Sequence, residues 1–216
     1  GLIGPALIWL ISEGIMKKSY FKFVVGSFII SLGIILFVDA NFGSDPMTTA
    51  CVGFVGLLNV PLSIVNLFAS FSQILIGIIL DKKNVSLFTF IGVAIVSYFI
   101  EIIGHIIPTT DNMIIRIIYL ILGILCYAFG IAYQQGVDIG YNNYDVAIFG
   151  VMKFLKLDSY SKVRWIFDGA YLIIGFLLGS KFGVGTISIL LFTGLLVEFF
   201  DGLFRKKDSN DRSIRL

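Results

Sequence analysis

The sequence predicts an all-α membrane protein of six transmembrane helices, built as two inverted three-helix repeats with one broken or half-helical segment in each. Three observations carry this expectation: the composition, the distribution of basic residues, and a match between the two halves of the chain. Of the 216 residues, 57% are hydrophobic and only 14% are charged, and the mean hydropathy is +0.96. Soluble domains carry about 45–50% apolar and about 25% charged residues, so a water-soluble fold is disfavoured. The apolar excess is gathered into runs near the roughly 17–25 residues that a bilayer core requires.

Taken in order, residues 1–15 are apolar, contain Pro5, and are too short to span comfortably. They lack the basic start and small-residue cleavage site of a signal peptide. Because Met16-Lys17-Lys18 has the look of a natural start, they are read as an appended extension or an interfacial helix. Spans are expected near residues 20–38, 60–80, 85–107, 114–134, 163–179 and 182–204. This gives a first repeat at 16–107, a second at 108–204 and a cytoplasmic tail at 205–216.

Basic residues mark the cytoplasmic side. With both termini inside, that side holds Lys17, Lys18, Lys22, Lys82, Lys83, Lys153, Lys156, Lys162, Arg164, Arg205, Lys206, Lys207, Arg212 and Arg215, and the other side holds Arg116 and Lys181. The division is fourteen to two and accounts for all sixteen Lys and Arg. The expected location is the bacterial cytoplasmic membrane, multi-pass, N-in and C-in. The basic clusters face anionic lipid, with no nucleic acid implied.

Two connections, 39–59 and 135–162, are too long and too apolar for plain loops. Each has a polar, glycine-bearing start followed by a short amphipathic stretch, at 47–58 and 144–157, of the length of a half-helix.

The halves match. Gly26, Gly33, Gly43 and Gly53 recur 97 positions later as Gly123, Gly130, Gly140 and Gly150. One position further out of register, Asn66, Ser70, Gln73 and Gly77 form one helical face that returns as Arg164, Asp168, Tyr171 and Gly175. With three spans per repeat, the second copy inserts upside down, a plan in which transporters bind solute near the repeat interface.

Candidate binding residues follow from this plan. In the first broken segment, Gly43 permits an irregular turn, Ser44 or Asp45 can cap a helix, and Pro46 suits its first turn. Free N–H groups at such a start attract anions or polar groups, the alternative being a simply well-capped helix. Its counterpart is Gly140-Tyr141-Asn142-Asn143-Tyr144-Asp145, with asparagines in the places of Asp45 and Pro46. Polar side chains in hydrocarbon face a bundle interior or water, which singles out Asn66, Gln73, Arg164, Asp168 and Tyr171. Arg164 and Asp168 are four apart and can pair, and Asn66 and Gln73 have an inter-helix clamp as their plain alternative. Asp39 and Asp138 are read as turn caps, His105 as interfacial, and Glu101, Glu198 and Asp201 as solvated helix-end groups.

Cys51 and Cys126 lack CxxC or Cys/His spacing, and His105 stands alone, so no disulfide, metal or other cofactor is expected. Nucleotide-binding, serine-hydrolase and zinc-protease motifs are absent, and no nucleophile–base set appears, so an enzyme is not expected.

With these motifs in hand, the chain resembles the YczE/YyaS/YitT family of bacterial membrane proteins. The resemblance spans Met16 to about Lys207 and is carried by Gly43-x-Asp45-Pro46 followed by Gly53, and by Phe182-Gly183-Val184-Gly185-Thr186. It implies a membrane location and a transport or accessory role, without naming a solute. The first expectation is therefore a small secondary carrier for a small polar or anionic solute, working as a homodimer. The second is a non-transporting accessory or regulatory protein of a membrane-associated complex.

Overall fold

The computed structural model describes residues 3–135 and 142–213, and the side chains of 19–134, 142–160 and 162–204. The described chain is all helix and turn: α1 (Ile3–Ala40), α2 (Pro46–Leu58), α3 (Leu62–Asp81), α4 (Leu87–Ile106), α5 (Met113–Gln135), α6 (Asn143–Leu155), α7 (Tyr160–Leu177) and α8 (Val184–Ser213). Only a single 3-10 turn, Lys82–Asn84, interrupts the pattern between α3 and α4.

Among the described residues, five helices are long and apolar enough to cross a membrane: Ser19–Ala40 within α1, Leu62–Asn84, Leu87–Ile106, Met113–Gln134 and Val184–Phe204. The expected fifth span, 163–179, corresponds to α7, which lies outside that set. Its 18 residues include Lys162, Arg164 and Asp168, and this charge dilutes the apolar run. α1 continues unbroken from Ile3 into the first span. At about 1.5 Å per residue the 13-residue α2 and α6 are near 20 Å long, short of the roughly 30 Å core. The chain is thus a multi-pass helical membrane bundle whose two short helices sit in the two connections that looked unlike loops.

Each short helix has an N-cap dictated by its sequence. Asp45 caps α2, with Pro46 as first residue, and Asn142 caps α6. Both end on a non-glycine residue in the left-handed region, Asn59 at φ 54° and Lys156 at φ 52°.

α1 and α5 form the central seam. Lipid tails are as apolar as Leu, so helices in a membrane associate by close packing of small residues and by interhelical hydrogen bonds. A Cβ on Gly33 would lie 2.8 Å from the Tyr127 main-chain nitrogen, and one on Gly130 would lie 2.9 Å from that of Ile30. Gly26 faces Gly130 and Gly33 faces Gly123, so the two helices run antiparallel. Gln134 Nε2 donates to Ser27 Oγ across the same seam at 3.0 Å.

Around it, α4 packs on α1 and α3, α8 packs on α5, α6 packs on α3, and α2 packs on α7. The α1–α4 contact sets Ile30, Ile34 and Ile35 against Ile100 and Ile103, and the Ser31 hydroxyl donates across it to the Val96 carbonyl at 3.1 Å. Phe37, Ile124 and Ile189 join α1, α5 and α8. At the end of α1, the Arg116 guanidinium donates to the Ala40 and Asn41 carbonyls at 2.7 and 2.9 Å. These are the terminal carbonyls that a helix leaves unpaired. The remaining large apolar side chains, such as Phe68, Tyr98, Trp165, Phe176 and Leu191, point outward and are exposed, as a lipid-facing surface requires.

Candidate polar site at the helix junction

The turn between α1 and α2 is shaped by its own residues. Gly43 has φ 97°, and a Cβ there would lie 2.2 Å from the Thr186 hydroxyl, so only glycine fits. Asp45 Oδ2 accepts from the Thr48 main-chain N–H at 3.2 Å. The Thr49 hydroxyl donates to the Ser44 carbonyl at 3.0 Å. The start of α2 therefore carries its own carboxylate. That side chain takes up the Thr48 N–H, as a helix cap does.

α6 starts in the same manner. Asn142 Oδ1 accepts from the Asp145 N–H at 2.8 Å, and its Nδ2 donates to Asp145 Oδ2 at 2.9 Å. The Tyr160 hydroxyl donates to the other carboxylate oxygen of Asp145. Gly140 and Tyr141, which precede this start, lie outside the described residues, as does Asp138.

Gln73 of α3 is fully buried and lies where four helices meet. Its Nε2 donates to the Tyr171 hydroxyl of α7 at 2.7 Å and sits 3.4 Å from the Met47 sulfur of α2. Its Oε1 accepts from Asn143 Nδ2 of α6. A buried primary amide left unpaired would cost about 1–3 kcal/mol, and here both ends of Gln73 are used. One residue along α6, the Tyr144 hydroxyl donates to Asp168 Oδ1. Arg164 Nε stands 3.8 Å from Asp168 Oδ2, and its guanidinium lies 5.8 Å over the Tyr144 ring. Asp45 is within electrostatic reach of Asp168.

Of the expected residues, then, Gln73, Asn143 and Tyr171 are in direct contact. Arg164 and Asp168 form the expected pair next to them. Gly43 and Pro46 shape the α2 turn, while Asn142 and Asp145 make a local cap. Asn66 does not join: its Nδ2 donates to Ser97 Oγ of α4 at 3.1 Å, the clamp that was its plain alternative. A second α3–α4 tie, Ser63 to Glu101, lies near it. Sequence reasoning did not single out Met47 or Tyr144, although both lie inside the segments it chose. Nor did it foresee a role for Thr186, whose only signal was its place beside Gly183 and Gly185.

A cavity of about 290 Å³ opens between the α2 start and the end of α7, lined among others by Asn41, Ser44, Thr49, Gly53, Ser180 and Lys181. It adjoins the Gly43 turn and does not reach Gln73. Among the described residues, no three His, Cys, Asp or Glu gather as metal ligands.

A family of unknown function, DUF6198, matches residues 17–202. An uncharacterized protein of Haemophilus influenzae is 27% identical over 172 residues, covering 80% of this chain and 78% of that protein. No solved structure matches. The match does not point specifically to the YczE/YyaS/YitT family, whose resemblance rested on two short glycine-bearing motifs. The chain is a multi-spanning α-helical membrane protein and belongs to the bacterial DUF6198 family.

Proposed function

We propose that the chain is a small secondary carrier for a small polar solute, with its site at the junction of α2, α3, α6 and α7. The observation that carries this reading is the Gln73 amide, which ties all four helices together in a polar patch walled by apolar helices. Intramembrane polar groups of this kind mark solute pathways.

The reading includes two inverted repeats, 16–107 and 108–204, with α7 as the sixth crossing. Geometry supports it at many positions. α2 and α6 are both 13 residues long, start 97 positions apart and end on matching left-handed caps. Gly77 of α3 packs on Val146 of α6, and Gly175 of α7 packs on Thr49 of α2; each member of one pair is the other's equivalent. The same exchange relates Gly53 on Leu178 to Gly150 on Leu80, and Gly33 on Tyr127 to Gly130 on Ile30. Gln73 and Tyr171 are themselves equivalent positions, bonded across the pseudo-axis.

The basic-residue count supports N-in, C-in topology. A homodimer also belongs to this reading, because six short helices enclose little volume on their own. The Asp45 cap favours an uncharged polar solute over an anionic one.

Flux into proteoliposomes against a metabolite panel tests the proposal. Asp45→Ala with Asp168→Ala should abolish any solute response, and unchanged flux in that double variant would remove the site assignment. The rival is an accessory role without transport. One observation favours it: direct side-chain hydrogen bonds already fill the junction. A co-purifying partner together with no response to any solute would decide for it.

A further inference from the structure

The motif Phe182-Gly183-Val184-Gly185-Thr186 takes no part in the polar junction, yet it is pressed against the Gly43 turn. The Gly185 N–H donates to the Phe42 carbonyl at 3.0 Å. A Cβ on Gly183 would lie 2.8 Å from that carbonyl oxygen, and one on Gly185 would lie 2.9 Å from the Gly43 carbonyl oxygen. The two glycines therefore let the start of α8 approach bare main-chain oxygens. The Thr186 hydroxyl projects into the space above Gly43, where a Cβ would lie only 2.2 Å from it.

Two side-chain oxygens from this place are buried with no hydrogen-bond partner among the described residues: Asp45 Oδ1 and Thr186 Oγ1. Asp45 is only 6% exposed and Thr186 is fully buried. None of the ion pairs among the described residues reaches Asp45, and the Arg164 guanidinium nearest its electrostatic neighbour is paired with Asp168. Burial pushes the Asp45 pKa up, and a cation beside its unused oxygen is what would hold this carboxyl ionised. The Thr186 hydroxyl already stands in contact with Gly43, so a small ion suits this turn better than a large one. A single carboxylate among neutral oxygens matches a single positive charge, whereas hard divalent ions are held by more carboxylates or by several retained waters.

We propose that the Gly43–Asp45 turn and the start of α8 form a binding site for a sodium-sized monovalent cation, held by the Asp45 carboxylate, the Thr186 hydroxyl and the Gly43 carbonyl. Unwound main-chain carbonyls and helix C-terminal ends are where transporters hold coupling ions, and the Gly43 carbonyl follows the C-terminal end of α1. As a coupling-ion site it rests on the carrier reading; as a binding site it stands alone.

The test is therefore binding, without solute. The purified full chain in nanodiscs is followed by thermal unfolding and by saturable ²²Na⁺ binding at constant ionic strength, with choline as replacement. Na⁺ should raise the Tm saturably, and K⁺ should not. Thr186→Val should weaken the apparent Na⁺ affinity by about tenfold or more, and Asp45→Asn should abolish binding. Thr193→Val makes the same change seven residues along α8, at another unpartnered buried hydroxyl, and should leave Na⁺ binding unchanged. If Asp45→Asn fails to fold, Thr186→Val, with its Tm in choline as the folding control, still decides.

The proposal is overturned by equal Tm in Na⁺ and choline, by stabilisation that follows pH or K⁺ instead, or by wild-type affinity in Thr186→Val. Na⁺ binding without flux keeps the site and removes the carrier, and Na⁺-independent flux without Na⁺ binding does the reverse.

Discussion

Gln73 is one side chain with three partners on three other helices, and the local consequences of the account concentrate there. Removing its amide leaves Asn143 Nδ2 and the Tyr171 hydroxyl without their partner in a dry setting. Interhelical hydrogen bonds in membranes contribute about 0.5–2 kcal/mol each, less than a vacuum estimate suggests, because the unfolded chain in lipid also finds partners. A double-mutant cycle between Gln73→Leu and Tyr171→Phe should therefore return a coupling of about 0.5–2 kcal/mol in unfolding from mixed micelles. Additive effects would mean that the 2.7 Å bond contributes nothing to stability. Part of this site was legible in the sequence. Gln73 and Tyr171 stood out because polar groups are costly in apolar helices, and Asn143 because it opened a segment too apolar for a loop. Met47 was hidden because a thioether passes as apolar filler, and Tyr144 because, unlike Tyr171, it lay off the matched polar faces and its partner Asp168 is on another helix. Asn66 was legible as polar, but no sequence rule chose between Ser97 of α4 and the junction.

At the scale of elements, the α1–α5 seam depends on absent side chains. A methyl group on Gly33 would meet the Tyr127 nitrogen at 2.8 Å and the Gly123 carbonyl oxygen at 3.0 Å, both main-chain atoms that cannot swing aside. Gly33→Ala should thus destabilise the protein by about 1–3 kcal/mol, the usual cost of overpacking. Gly194→Ala, where nothing lies within 4 Å, should be neutral or slightly stabilising through better helix propensity. Thermal unfolding of the two variants side by side checks this, and equal losses would contradict the seam. The glycine spacing pointed to these contacts: Gly26 and Gly33, and Gly123 and Gly130 found 97 positions later, all lie in the seam. The α7 helix was less legible. Its charges lie on the turns nearest the junction, where Arg164 meets Asp168 and Tyr144, so the requirement for a polar site works against the requirement for an apolar span.

At the scale of the whole molecule, the proposed repeat makes the unlike packing of α4 and α8 informative. α4 packs on both α1 and α3, with Asn66–Ser97 and Ser63–Glu101 as ties. α8, its counterpart in the proposed repeat, packs on α5, and among the described residues α7 and α8 do not pack together as α3 and α4 do. On the inverted-repeat reading proposed above, the two copies hold two arrangements, and the carrier proposal has each adopt the other's in turn. Alternating access by rocking one repeat against the other is the corresponding motion. Spin labels on α7 and α8, and on α3 and α4, should show the two distances exchanging when solute or Na⁺ is varied. Fixed distances under all conditions would leave the asymmetry a static feature of the scaffold. The composition and the long apolar runs made the membrane class readable. The unequal packing of α4 and α8 was not readable, since both are equally apolar and differ only in what they touch.

Solute movement through the junction is the claim on which the functional account stands. The most direct measurement is uptake of a panel of small polar metabolites into proteoliposomes containing the full chain, beside the Asp45→Ala, Asp168→Ala double variant at equal incorporation. The account predicts saturable uptake of at least one polar solute by the wild type and none above protein-free vesicles by the variant. Uptake that is identical in the two, or no uptake of any solute by a folded wild-type protein, would contradict it.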